Sequence, residues 1–355
     1  MLKVLLLSRY SRLAASTRYR FCQYLPYLES QGISVTEAPF WEDEYLRTYY
    51  AGGNRKSPAY FLKAYSQRLA QLFSTRKYDL IWIYLEALPW IPAWLEILLL
   101  GNKTPYLVDY DDAWFHCYDQ HPSTLIRHLL KTKIDHVMQR AALVVAGNEY
   151  IAARAEQARA KRIEILPTVV DLTDYPLSPE PNNEMFTIGW IGTPPTVRQL
   201  KSIHPALRLV SQHPQTRVVA IGDESLQLEG VNLEARPWNP ATEVQELQSF
   251  DVGIMPLIDS VFERGKCGFK LIQYMACARP VVASPIGVNQ QLVRHGENGF
   301  QALTTEEWLQ AFQTVRETPD KGRTLGRMGR AQVEQQYSLQ VTAPKMAKLL
   351  QQAAR

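Results

Sequence analysis

Short apolar runs alternate with longer amphipathic stretches along most of this chain. Val4–Leu7, Leu80–Tyr84, Tyr106–Val108 and Leu143–Val145 are too short for helices and read as strands buried on both faces. Ser34-Val35 and Glu164–Leu166 suggest two more. Tyr19–Gln31, stopped by Gly32, then Tyr60–Phe73 and Ser123–Arg140 carry helical periodicity. Such alternation predicts a parallel sheet with helices on both faces. Residues 174–183 are rich in Pro, Asn and Ser and read as a linker. A second series follows: strand Thr187–Ile191, helix Thr196–Ser211, strand Val218–Ile221, helix Ala241–Ser249 and strand Val252–Met255. Ser338–Arg355 closes the chain as an apolar-striped helix. The pattern predicts an α/β protein of two Rossmann-like domains, 1–172 and 184–339.

The most informative segment is 265–287, Gly-Lys-Cys-Gly-Phe-Lys-Leu-Ile-Gln-Tyr-Met-Ala-Cys-Ala-Arg-Pro-Val-Val-Ala-Ser-Pro-Ile-Gly. Leu271, Ile272, Met275 and Ala276 form one buried stripe of a helix, while Lys270 and Gln273 project together from another face. Arg279-Pro280 ends the helix and Val281–Ala283 is a strand. Unpaired N–H groups at the helix start, beside Lys270, predict an anion site suited to phosphate. Upstream, Gly192 and Thr193 stand where a strand passes into a helix, which is either an ordinary strand-to-helix turn or one whose backbone and hydroxyl donors face a diphosphate.

This segment resembles the nucleotide-sugar-binding signature of retaining glycosyltransferases of family 4, which share the two-domain glycosyltransferase-B fold. The family pattern carries two glutamates; here Gly265 and Gln273 stand in their places. The Lys-Leu-Ile-Gln-Tyr-Met-Ala run is similar to a bacterial subgroup with Lys and Glu or Gln at these positions. The resemblance implies a donor site of Gly192, Thr193, Trp238, Gly268, Phe269, Lys270, Gln273 and Gly287. Lys270 and Arg198 would carry charge on the leaving diphosphate. Glu263 either replaces the missing first acid or is a loop charge, and Trp238 either borders the base or is structural. A helix at about 340–355 would return to the first domain. The two domains would face a cleft.

In the first half, Asp109, Asp111 and Asp112 follow a strand, and crowded carboxylates need positive or protic partners. By the resemblance Asp111 and Asp112 are expected at donor or acceptor hydroxyls, without a metal, and His116 is a weaker candidate. Ser16 and Arg18 follow the first strand, with Ser16 or Thr17 a plausible helix cap. Glu86 and Asn148 share the same carboxyl edge and are candidates for acceptor or cleft contacts.

Composition adds bounds. The 355 residues are 46% hydrophobic and 21% charged with a net charge of +4, values of a globular protein with no argument for nucleic acid. Cys22, Cys117, Cys267 and Cys277 form no metal-type cluster and read as cytoplasmic thiols. The apolar stretch Leu88–Leu100 is broken by Pro89, Pro92 and Glu96, too short to span a bilayer. Helix Ser123–Arg140, with Leu125, Leu129, Leu130, Ile134, Val137 and Met138 on one side and bases on the others, either packs its apolar face on a core, as most such helices do, or makes peripheral contact with an anionic membrane, to which the basic region of Arg55-Lys56, Lys63 and Arg68 would add. The expected activity is transfer of a sugar from a nucleotide-sugar co-substrate to a saccharide or lipid-linked hydroxyl acceptor, with no cofactor. Two alternatives remain open: a nucleotide-sugar epimerase on the same fold, and a non-catalytic nucleotide-sugar-binding partner.

Overall fold

The apolar runs become two all-parallel sheets. The structure, a computed structural model, describes residues 1–50, 58–101, 104–177 and 184–355. Arg55-Lys56 and residues 178–183 of the expected linker lie outside that set. Contacts divide the chain into two units, Met1–Thr168 with Thr342–Arg355, and Val169–Val341.

In the first unit, β1 (Leu2–Leu7), β2 (Ile33–Glu37), β3 (Leu80–Tyr84), β4 (Tyr106–Tyr110), β5 (Leu143–Ala146) and β6 (Ile163–Ile165) pair in the order β2-β1-β3-β4-β5-β6. Every residue of β3, β4 and β5 is buried, because helices cover both faces. The second unit has β7 (Phe186–Ile191), β8 (Thr216–Ile221), β9 (Leu233–Arg236), β10 (Val252–Met255), β11 (Val281–Ala283) and β12 (Gly299–Gln301), ordered β12-β11-β10-β7-β8-β9. Two apolar clusters flank this sheet, one including Leu271, Ile272 and Met275, the other including Trp190, Leu207 and Trp308.

Several elements differ from the sequence expectation. Tyr175, placed in the linker by composition, is 1% exposed in the second unit's core, and Val170 bonds through its backbone to Tyr337 and Leu339. The 123–140 stretch is two helices, Thr124–Leu130 and Lys133–Arg140. The break separates Leu125 and Leu129, which are exposed, from Ile134, Val137 and Met138, which are buried. The 196–211 stretch likewise divides into Val197–Lys201 and His204–Val210, with Pro205 in the first turn of the latter. The first long helix is Ala15–Arg20 and Leu25–Ser30 joined by a tighter turn. Its cap is Ala14, not Ser16 or Thr17. None of the four cysteines is in a disulfide.

Candidate functional site

In open parallel sheets a ligand crevice forms at the carboxyl ends of strands where their order reverses. In the second sheet that point lies between β7 and β10. The helix Phe269–Ala276 is fastened there by Tyr274. Its ring lies against Gly253 of β10, where a Cβ would stand 2.3 Å from it, and its hydroxyl accepts the Ile191 N–H at 3.0 Å at the end of β7. The glycine inside a buried strand is thus the price of seating this helix on the sheet.

The helix begins at Gly268, whose φ of +66° is the left-handed conformation glycine adopts without steric cost. Lys270, in the first turn, places its Nζ 4.5 Å from the centre of the Trp190 ring. Burial and the neighbouring Lys266 push its pKa down to about 7, with Glu263 opposing the shift. Arg198 donates to Glu263 Oε1 at 2.8 Å while its side chain remains 64% exposed. Glu263, from the short helix Val261–Arg264, is 3% exposed, and its Oε2 has no hydrogen-bond partner among the described residues. The loop therefore buries a carboxylate two residues before Gly265, among Arg198, Lys266 and Lys270. Phe269 packs half-buried against the core.

Gln273 does not share Lys270's surroundings, although the two are three residues apart. Its amide nitrogen donates to Glu243 Oε1 at 2.8 Å and to the Tyr175 hydroxyl at 3.0 Å. Trp238, half-buried, donates its indole N–H to Glu243 Oε2. A glutamine amide has two hydrogens, and both are engaged. What Gln273 can still offer is its carbonyl oxygen, an acceptor, the function that a carboxylate at this position would supply. Glu243, in the helix Glu243–Gln248, was not singled out from the sequence. Gln273→Glu is expected to set two carboxylates against each other and to destabilise the second unit by about 1–3 kcal/mol. Adding Glu243→Gln inverts the pair and should restore most of the loss, read as a coupling energy in a double-mutant unfolding cycle. A neutral effect of Gln273→Glu alone would refute the assigned orientation.

The turn after β7 is less open than expected. The Gly192 N–H bonds Ile221 O at 2.9 Å and the Thr193 N–H bonds Thr196 Oγ1 at 3.0 Å, so neither backbone donor is available to a diphosphate. The Thr193 hydroxyl takes part in a capping box at the turn. Gly287 turns back against Arg264, whose carbonyl oxygen would lie 2.4 Å from any Cβ there.

The first unit has its own edge of candidate residues. Asp109 is fully buried between Arg20 Nε at 2.7 Å and Trp82 Nε1 at 3.2 Å, while Arg20 also bonds Leu166 O. It is a structural acid. Asp111, two residues on, accepts from the Tyr84 hydroxyl at 2.7 Å, and Ser16 bonds the same phenol. Burial and Asp112 push the Asp111 pKa up to about 7. Ser16, Tyr84, Asp111 and Asp112 thus gather at the carboxyl ends of β3 and β4, as a polar edge able to meet sugar hydroxyls.

Four candidates are occupied otherwise. Glu86 accepts from Arg9 Nη1 at 2.9 Å, Trp114 Nε1 at 2.8 Å, Tyr118 Oη at 2.6 Å and Lys133 Nζ at 2.6 Å, so four protein donors already meet its carboxylate. Asn148 caps the helix Glu149–Gln157 by accepting the Ile151 N–H at 3.0 Å. Arg18 bonds the carbonyls of Leu13 and Arg12, and His116 lies between Asp119 and the Tyr150 hydroxyl. Among the described residues no three His, Cys, Asp or Glu side chains converge as a metal site.

The sequence profile of the family described as Glycosyl transferases group 1 matches residues 185–317, a span that includes Gly192, Lys270 and Gly287. A comparison with curated proteins finds no match. Among solved structures, HepE of Anabaena in complex with UDP-glucose is similar at a TM-score of 0.72 and 17% identity, over 99% of this chain and 100% of that one. Sucrose-phosphate synthase of Thermosynechococcus elongatus follows at 0.67 and 16%, over 99% of each chain. A glycosyltransferase of Rickettsia africae gives 0.71 and 13%, over 100% of this chain and 99% of that one. These likenesses establish the fold: two parallel-sheet Rossmann-like units, as in glycosyltransferase-B proteins.

Proposed function

We propose that this chain is a retaining glycosyltransferase that moves a sugar from a nucleoside-diphosphate sugar to a hydroxyl of a glycan or lipid-linked saccharide, in the synthesis of a polysaccharide or glycoconjugate. The observation that carries the reading is Lys270: a cation in the first turn of a helix seated at the β7/β10 switch point, inside the segment that matches a glycosyltransferase family. HepE, of the same fold, is solved with UDP-glucose, which supports a nucleoside-diphosphate sugar as donor.

In this reading the bond from the anomeric carbon to the diphosphate breaks, and the electron pair leaves with the diphosphate. Lys270, Arg198 and the first N–H groups of the helix meet the charge that develops there, so the reaction needs no metal. The acceptor oxygen bonds to the same face of the sugar, and its proton passes to the donor phosphate, so no protein nucleophile is required. Gln273 presents its carbonyl oxygen to the donor, and Asp111 and Asp112 are assigned to sugar hydroxyls.

A panel of nucleotide-sugars screened by thermal shift tests the donor, since a ligand of the folded state raises the melting temperature. Transfer assays with and without a chelator, and the anomeric configuration of the product, test the chemistry. Absence of a shift with every donor overturns the reading. An isomerised donor formed without acceptor identifies an epimerase, and binding without turnover a non-catalytic partner.

A further inference from the structure

On the first unit, the helix Ala93–Leu100 buries Ala93, Glu96 and Leu100 but leaves Trp94 68% and Leu98 67% exposed. The helix Thr124–Leu130 does the same with Leu125, 67% exposed, and Leu129, 57% exposed. Each pair is spaced by four and shares one helix face. Trp94, Ile97 and Leu129 line one groove of about 250 Å³, so the two faces belong to a single patch. Four large apolar side chains exposed together are unusual for a surface that meets only water.

Along the segment that carries the patch, the exposed charge has one sign. Among the described residues between 84 and 140, every acidic side chain is withdrawn or bonded on the protein. Glu86, Glu96 and Asp109 are buried, Asp119 and Asp135 are bound by Arg154, and Asp111 and Asp112 lie in the polar edge above. His128, Lys131, His136 and Arg140 are exposed, and His136 and Arg140 line the groove itself. No described helix is long and apolar enough to cross a membrane.

We propose that this face of helices Ala93–Leu100 and Thr124–Leu130 docks on an anionic bilayer surface. Trp94, Leu98, Leu125 and Leu129 enter the boundary between headgroups and acyl chains, and Lys131 and Arg140 meet the anionic headgroups. An indole suits that boundary because its body is apolar and its N–H polar. Basic side chains at the rim add attraction to anionic lipid. A second copy of the chain would bring the same positive rim against this one, so charge favours the bilayer. This inference does not rest on the glycosyl-transfer reading, and its test needs no turnover.

The test is co-sedimentation of the full chain with vesicles of phosphatidylcholine alone and of phosphatidylcholine with phosphatidylglycerol. Binding to the anionic vesicles, weakened by added salt and accompanied by a blue shift of tryptophan fluorescence, is expected. Trp94→Ser with Leu129→Ser should lower the partition coefficient about tenfold or more, since each removes an exposed side chain from the bilayer boundary. Lys131→Glu with Arg140→Glu should lower it comparably. Both pairs lie at the surface, so the melting temperature should stay unchanged. Equal binding to both kinds of vesicle, no binding to either, or a solution dimer broken by Trp94→Ser would each overturn the proposal.

Discussion

Lys270→Ala is expected to lower kcat/KM about 10²–10³-fold, the range for removing one charge-stabilising donor at the point where charge develops. The loss should fall on donor affinity and on the chemical step together, because the same ammonium would meet the diphosphate before and after bond breakage. Trp190 beneath it is fully buried, so the variant should retain its fold. The second signature of this residue is pH. In the ligand-free protein the Lys270 pKa is lowered to about 7, by burial first and by Lys266 second. A bound diphosphate favours the charged form, so donor binding should take up a proton at and above neutral pH. Donor affinity should accordingly fall by up to about tenfold per pH unit above 7, until the pKa of the complex is reached. Calorimetry in buffers of different ionisation enthalpy measures that uptake directly. Lys270→Arg keeps its charge throughout this range and should abolish the fall while binding less well, since the guanidinium has a different shape. If Lys270→Ala leaves donor affinity unchanged, the placement of the donor is wrong.

The strands were legible because a parallel sheet covered on both faces needs unbroken apolar runs, and β3, β5, β7 and β10 contain little else. The helix around Lys270 was legible for a similar reason, with its buried stripe standing between Gly268 and Pro280. The fates of the polar residues were not, because their partners are remote in sequence. Asp109 and Asp111 look alike in the chain, yet one is bound by Arg20, 89 residues away, and the other by Tyr84. Gln273 looks like a weakened glutamate until Glu243, 30 residues away, is seen to fix its amide. Helical periodicity in 123–140 also cannot report which part of an apolar stripe finds a partner. Ile134 and Val137 do, whereas Leu125 and Leu129 do not.

Glu86 is where the structure changes the expectation most. Glu86→Ala should destabilise the first unit by about 3–5 kcal/mol, because it strands Lys133, whose side chain has no exposed surface, beside Arg9 with one carboxylate fewer. Lys133 would retain Glu96 at 3.1 Å and the Leu88 carbonyl, which is why total unfolding is not expected. Glu86→Gln keeps the volume, but its amide would turn N–H groups toward donors on whichever side it faces, so it should also be destabilising. Burial by itself would raise the Glu86 pKa; Lys133 and Arg9 outweigh that and hold it below the ordinary glutamate value. A carboxyl with a lowered folded-state pKa stabilises fully above its unfolded pKa and loses that contribution as pH falls through the folded one. The deficit of the variants should therefore be complete at neutral pH and shrink only in acid. Urea unfolding followed by signals from each unit separates the cases, since two units need not unfold as one transition. An acceptor-binding acid would instead give a Glu86→Gln protein of normal stability with a raised KM for acceptor alone, and that result would return Glu86 to the site.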